Sequence, residues 1–236
     1  MDKWIKDIDS GKFVGALLID LSKAFDSVSH QILIKDLIDI GCSLNTVKWF
    51  TDYLTNRVQR VIGLLHETSW KSVTKGVPQG SCFSPHFFNI FLRNLPTDTQ
   101  TNSIQFSDDI TEYMSDEDPS VITKSLLEGF ERTKAYFLGR QLSTNVAKTQ
   151  CIFFKIPSKK LPEDLELTID GCIIKPSKSV KLLGVTLDHH LFFSDRFSNV
   201  TKKCHGFIGI LTRAAPSLPK DFLRLAYSSL IRSRLE

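Results

Sequence analysis

An α+β fold is what the sequence predicts, and three observations lead to it. Apolar residues recur at helical spacing over 30–40, 44–56 and about 119–142. Between these segments lie short runs that are either wholly apolar or alternating, as strands are. Two such runs, near 104–113 and 165–187, fold back at turn signals, so their strands should pair antiparallel. No low-complexity linker and no internal repeat separates these segments.

Taken in order, residues 13–20, "FVGALLID", form an almost wholly apolar run ending in a carboxylate, as a buried strand would. Helices follow over 30–40, stopped at Gly41, and over 44–56, with Asn45 as the expected cap. "QRVIGLL" and "TSWKSVTKG" resemble a two-stranded hairpin. "PHFFNIFLRNL" reads as a buried helix closed by Pro96, with Ser81 or Ser84 as its cap. A long helix from about Pro119 to Leu142 precedes the strand "TQCIFFKI". The alternation over 165–187 centres on Asp170-Gly171, a hairpin turn. Residues 194–236 return to helix, broken at "APSLPKD", and carry Lys202, Lys203, His205, Arg213, Arg224, Arg232 and Arg234.

The chain of 236 residues has seventeen Phe, enough apolar bulk for a full core and far from a disordered composition. Its formal charge of +4 permits a polyanionic partner without requiring one. The five cysteines are scattered, odd in number and never in a C-x-x-C pair, which speaks against a disulfide framework or zinc site and for a reducing compartment. The N-terminus is too charged for a signal peptide, and no apolar run reaches membrane-span length. An intracellular protein, in cytoplasm or nucleus and without a membrane partner, is expected.

Chemistry is suggested by "IQFSDDITEY", where Asp108 and Asp109 interrupt an apolar, extended segment. Adjacent carboxylates repel unless a cation, a proton or water offsets the repulsion. If 104–106 and 110–113 are strands of one hairpin, the pair lies at its turn, and if the 13–20 strand is a neighbour, Asp20 joins it. Three hard oxygen donors suit Mg²⁺, and such clusters hold two ions in phosphoryl-transfer sites. An Asp pair is also ordinary in a turn, so this spacing alone leaves both readings open.

The ordered segments resemble those of a reverse transcriptase, in particular the polymerase of non-LTR (LINE-type, jockey-, CR1- and RTE-like) retrotransposons. "LIDLSKAFDSVSH" is similar to motif A, "GVPQGSCFSPHFFNIFLRNLP" to motif B, "QFSDDITEY" to motif C, "LSTNVAKTQCIFF" to motif D and "VKLLGVTLD" to the primer-grip motif E. The resemblance implies a polymerase palm over 1–190, an antiparallel sheet backed by helices, and a partial helical thumb over 191–236, with the fingers largely missing. It implies Mg²⁺-dependent addition of dNTPs to a DNA primer 3′-end on an RNA template. Asp20, Asp108 and Asp109 match the metal-binding aspartates for two Mg²⁺ ions, with Mn²⁺ as an alternative. Phe25 matches the steric gate against a ribose 2′-hydroxyl. Gln79 and Gly80 match the lining of the nascent-pair pocket, and Asn89 also fits the pattern. Lys148 matches a cationic general acid for pyrophosphate, and Leu183 with Gly184 the primer grip.

Bottom-up readings stand beside these roles. Phe25 would make a good core residue, "GVPQGS" a plain turn into a helix, Lys148 a solvated surface cation, and Gly184 a place where another backbone comes close. Motif A begins within the first twenty residues, so the segments that precede it in the family are expected to be absent, and the end at "LIRSRLE" reads as a thumb helix cut short. A non-catalytic remnant that at most binds nucleic acid is therefore the alternative. A viral RNA-dependent RNA polymerase is a third, opposed by Phe25. Ser107 replaces the usual alanine before the aspartate pair, and His86 is expected to place a polar ring in the palm core.

Overall fold

The computed structural model describes residues 1–63, 66–96 and 100–235 and divides into two compact units, Met1–Pro176 and Ser177–Glu236. In the first, four antiparallel strands form the sheet: β1 (Phe13–Ile19), β4 (Asn102–Phe106), β5 (Asp109–Asp116) and β6 (Gln150–Phe154), in the order β4-β5-β1-β6. β1 is interior to the sheet and covered on both faces, which is why it reads as a continuous apolar run.

Alternation along β1 divides its residues between two layers. Phe13, Leu17 and Ile19 join the main core with Ile122, Leu126 and Phe130 of helix α5 (Pro119–Gly139). Gly15 faces the same helix, and a Cβ there would lie 2.4 Å from Ile122 Cγ2, so the missing side chain sets how closely α5 approaches the sheet. On the opposite face Trp4, from helix α1 (Asp2–Asp9), packs on Tyr113 and Phe154 with ring centroids 5.2 Å apart in each case.

Helices α2 (His30–Asp39), α3 (Leu44–Leu54) and α4 (Ser84–Phe91) complete this core, with Phe87, Phe88 and Phe91 fully buried. The cap of α3 is Ser43, whose hydroxyl accepts from the Thr46 N–H at 3.2 Å, and Asn45 is already inside the first turn. α4 ends at Phe91, short of Pro96, and its cap position is Phe83; Ser81 contributes by accepting from the Phe83 N–H. His86 is exposed, so the expected polar group in the core does not arise.

Strands β2 (Arg57–Gln59) and β3 (Lys71–Val73) form a hairpin whose strands are shorter than the sequence suggested; residues 64 and 65 of the expected first strand lie outside the described residues. The stretch 165–187 forms two hairpins in different units rather than one. β7 (Leu167–Ile169) and β8 (Cys172–Ile174) turn at Asp170-Gly171, whereas β9 (Ser179–Leu182) and β10 (Val185–Asp188) turn at Leu183-Gly184. Both turns have positive φ at both central residues, the requirement of a tight two-residue hairpin.

The second unit therefore begins at Ser177, before the expected boundary at 190, because the β9–β10 hairpin packs on helix α6 (Ser194–Ala214). A 3₁₀ turn over Ala215–Ser217 breaks the helix where the prolines predict, and α7 (Lys220–Tyr227), a π-helical stretch (Ser228–Arg232) and α8 (Ser233–Leu235) follow. No helix among the described residues is long and apolar enough to cross a membrane.

Candidate active site

The register of the sheet decides where the carboxylates meet. Ile19 pairs with Ile110, so the next position across from Asp20 is Asp109. Phe106 pairs with Asp109, leaving Ser107 and Asp108 as the two-residue turn, with Ser107 at φ 57°. All three aspartates thus stand at one end of the sheet. Asp109 has its pKa raised, first by partial burial of its carboxylate and then by the charges of Asp108 and Asp20. The three groups repel one another as anions.

Asp20 is gripped from the other side by the loop that precedes β6. Asn145 donates its N–H to the Asp20 carbonyl at 2.8 Å, and the Asp20 N–H reaches the Thr149 hydroxyl at 3.5 Å. Ser22 donates to the Ser143 carbonyl at 2.8 Å, and Leu21 bridges Thr144. This lacing brings Lys148, whose side chain is exposed, to the same end of the sheet as the aspartates. Asn145 and Thr149, which hold the Asp20 backbone, were passed over in the sequence reading, and their signal was the turn-forming "TNVAKT" itself.

Whether a divalent ion suits this place can be judged from the donors. Three carboxylates of like charge, one with its proton affinity raised first by partial burial and then by the other two, form a hard oxygen set whose repulsion a cation relieves. Among the described residues no group of three or more His, Cys, Asp or Glu side chains is already converged as a cation cluster.

Phe25 opens a 3₁₀ turn (Phe25–Ser27) just after β1 and is half-buried, its ring stacked on Phe88 with centroids 4.8 Å apart. It therefore packs against the core while keeping part of its ring open. Gln79 and Gly80 lie in an exposed loop before α4, and Asn89 is exposed on α4. Leu183 and Gly184, the turn of β9–β10, belong to the second unit. There Lys181, Arg196, Lys203 and Arg234 line a cleft of about 550 Å³ with no carboxylate among the described residues that line it.

Comparison with known proteins adds the family. Residues 6–187 match the reverse transcriptase (RNA-dependent DNA polymerase) family. The chain is 30% identical over 199 residues to the RNA-directed DNA polymerase from mobile element jockey of Drosophila melanogaster, covering 79% of this chain and 21% of that protein. It is 28% identical to a Pol polyprotein from the type-1 retrotransposable element R2 of Popillia japonica, covering 75% of this chain and 31% of the relative. Less than a third of either relative is spanned. Telomerase from Candida tropicalis, solved with a fragment of telomeric RNA, shares the fold at a TM-score of 0.52 and 12% identity, over 98% of this chain and 40% of that one. Telomerase from Candida albicans, also solved with a telomeric RNA fragment, gives a TM-score of 0.51. With the match spanning most of its length and the fold agreeing, the chain belongs to the reverse transcriptase family of non-LTR retrotransposons.

Proposed function

We propose that the chain is the palm of an RNA-directed DNA polymerase, adding dNTPs to a DNA primer on an RNA template, with the helical second unit as part of a thumb. The observation that carries this is the gathering of Asp20, Asp108 and Asp109 at one end of the sheet in a member of this family. Asp20, Asp108 and Asp109 would hold two Mg²⁺ ions, or Mn²⁺. Bound there, divalent ions lower the pKa of a primer hydroxyl and neutralise charge on the triphosphate.

The residues themselves do the positioning. β1, interior to the sheet, fixes Asp20, whose backbone is held at its N–H and at its carbonyl by the 143–149 loop. The tight hairpin turn fixes Asp108 and Asp109 against it. Lys148 would deliver a proton to the departing pyrophosphate. Phe25, braced by Phe88, would exclude a ribose 2′-hydroxyl, which favours deoxynucleotides and opposes an RNA polymerase. Gln79 and Gly80 would line the pocket of the nascent pair. In the second unit Leu183 and Gly184 would act as the primer grip, and the basic cleft beside them would meet phosphates through charge. The five free cysteines support a reducing, intracellular setting.

The test is primer extension on poly(rA)/oligo(dT) with Mg²⁺, comparing wild type with Asp108→Asn. Synthesis that the substitution reduces by at least about 10³-fold supports the reading, since charge placement supplies most of such catalysis. A folded wild type that synthesises nothing supports the remnant reading instead.

A further inference from the structure

The turn after β1 and the loop before α4 are laced together. Gly76 donates its N–H to the Val28 carbonyl at 2.7 Å, and Val77 donates to the Phe25 carbonyl at 2.9 Å. The buried His30 has its Nε2 2.7 Å from the Gly76 carbonyl, and since a carbonyl only accepts, that nitrogen carries the proton. Gly76 has φ +90°, and a Cβ there would lie 2.7 Å from the Asp26 carbonyl oxygen. Across this clasp the Gln79 side chain donates from Nε2 to Asp26 Oδ1 at 3.0 Å. Both residues line a cleft of about 610 Å³ that also holds Lys23, Arg57 and Lys75.

An ionised carboxylate has no proton to give, so it decides which way round the amide stands. The NH₂ group faces Asp26 and the carbonyl oxygen faces away. The negative charge is otherwise out of place, because in a cleft with three cations it weakens attraction for a phosphate. Orientation of the amide is what Asp26 contributes.

We infer that Asp26 is a positioning residue, holding the Gln79 amide so that its carbonyl oxygen is offered to a nucleotide in this cleft. The inference rests on the polymerase reading above, and its test separates the two. In Asp26→Asn the cleft becomes more positive, so charge alone would lower KM for dTTP. Loss of amide orientation raises it. The expected result on poly(rA)/oligo(dT) is a KM increase of roughly three- to tenfold with kcat changed by about twofold or less. Asp26→Glu, which restores an acceptor-only group, should recover most of the loss. In a Gln79→Ala background the same Asp26→Asn change should lower KM, because only the charge effect remains.

A second readout needs no turnover. The two Gln79 side-chain amide protons, identified by their loss in Gln79→Ala, should resonate far apart in the wild type and draw together in Asp26→Asn. An unchanged or lowered KM in the single variant overturns the inference, as do Gln79 amide shifts that ignore Asp26→Asn. A wild type that extends no primer overturns the polymerase reading, and the positioning role then stands or falls on the amide resonances. Asp26 is exposed, so the variants should keep the fold, which a thermal melt verifies.

Discussion

Asp109 illustrates how a site residue can be held against its own stability. Its pKa is raised by partial burial and by Asp108 and Asp20, so the fold favours the protonated form. That favourable contribution is complete below the ordinary carboxylate value of 3.8 and is lost as pH rises through the raised value. At neutral pH the ionised group therefore opposes folding. Asp109→Asn should raise the thermal midpoint at pH 7, and the gain should vanish below the ordinary carboxylate value. Added Mg²⁺ should raise the wild-type midpoint more than the variant's, because binding to the folded form stabilises it. Equal midpoints at pH 7 would contradict the proposed repulsion. The sequence displayed the Asp pair plainly, but the raised pKa of Asp109 comes first from a burial that only folding creates, and then from Asp108 and the distant Asp20.

At the scale of elements, a buried ionic cluster ties the helices behind the sheet together. Asp36 of α2, with 6% of its side chain exposed, receives both terminal nitrogens of Arg140, just past α5, one of them onto Oδ1 at 3.3 Å. Arg93, just past α4, lies 3.5 Å from Asp36 Oδ1 and 3.3 Å from Asp39 Oδ2. The Arg140 guanidinium also lies over the rings of Phe91 and Tyr136 at 5.1 and 5.2 Å. Asp36→Asn takes the carboxylate from the largely buried Arg140 and leaves Arg93 only the exposed Asp39, and should cost about 3–5 kcal/mol in urea unfolding. A loss under about 1 kcal/mol would show that water already screens the cluster. Nothing in the sequence singled out Asp36, because helical periodicity marks an apolar face but not a charge buried by distant partners.

For the molecule as a whole, the division after Pro176 assigns the β9–β10 hairpin to the helical unit. Asp188, at the end of β10, makes the passage into α6. Partial burial pushes its pKa up, but bonds from the backbone N–H groups of Phe192, His190 and Phe193 outweigh this and lower it. This stabilisation is present above 3.8 and is lost as pH falls through the depressed value. Asp188→Asn should therefore cost the second unit about 1–2 kcal/mol at pH 7, read as faster amide hydrogen exchange across β9, β10 and α6. Exchange that stays unchanged would remove Asp188 as the anchor of that turn.

Sequence by itself determined the α+β class, the aspartates of the candidate site and the order of motifs. Each of these rests on local signals, namely periodicity, turn residues and short segments that keep their order along the chain. It misjudged His86, which is exposed, the cap of α3, and the single hairpin expected over 165–187. Periodicity alone gives no answer about which helix face is covered or which strands belong to one unit. Only the tertiary structure decided that Asp20 stands opposite Asp109, that the 143–149 loop grips Asp20 and that Gln79 leans on Asp26. Strand register and contacts between distant segments are set by long-range packing, which leaves no mark on the residues next to each partner.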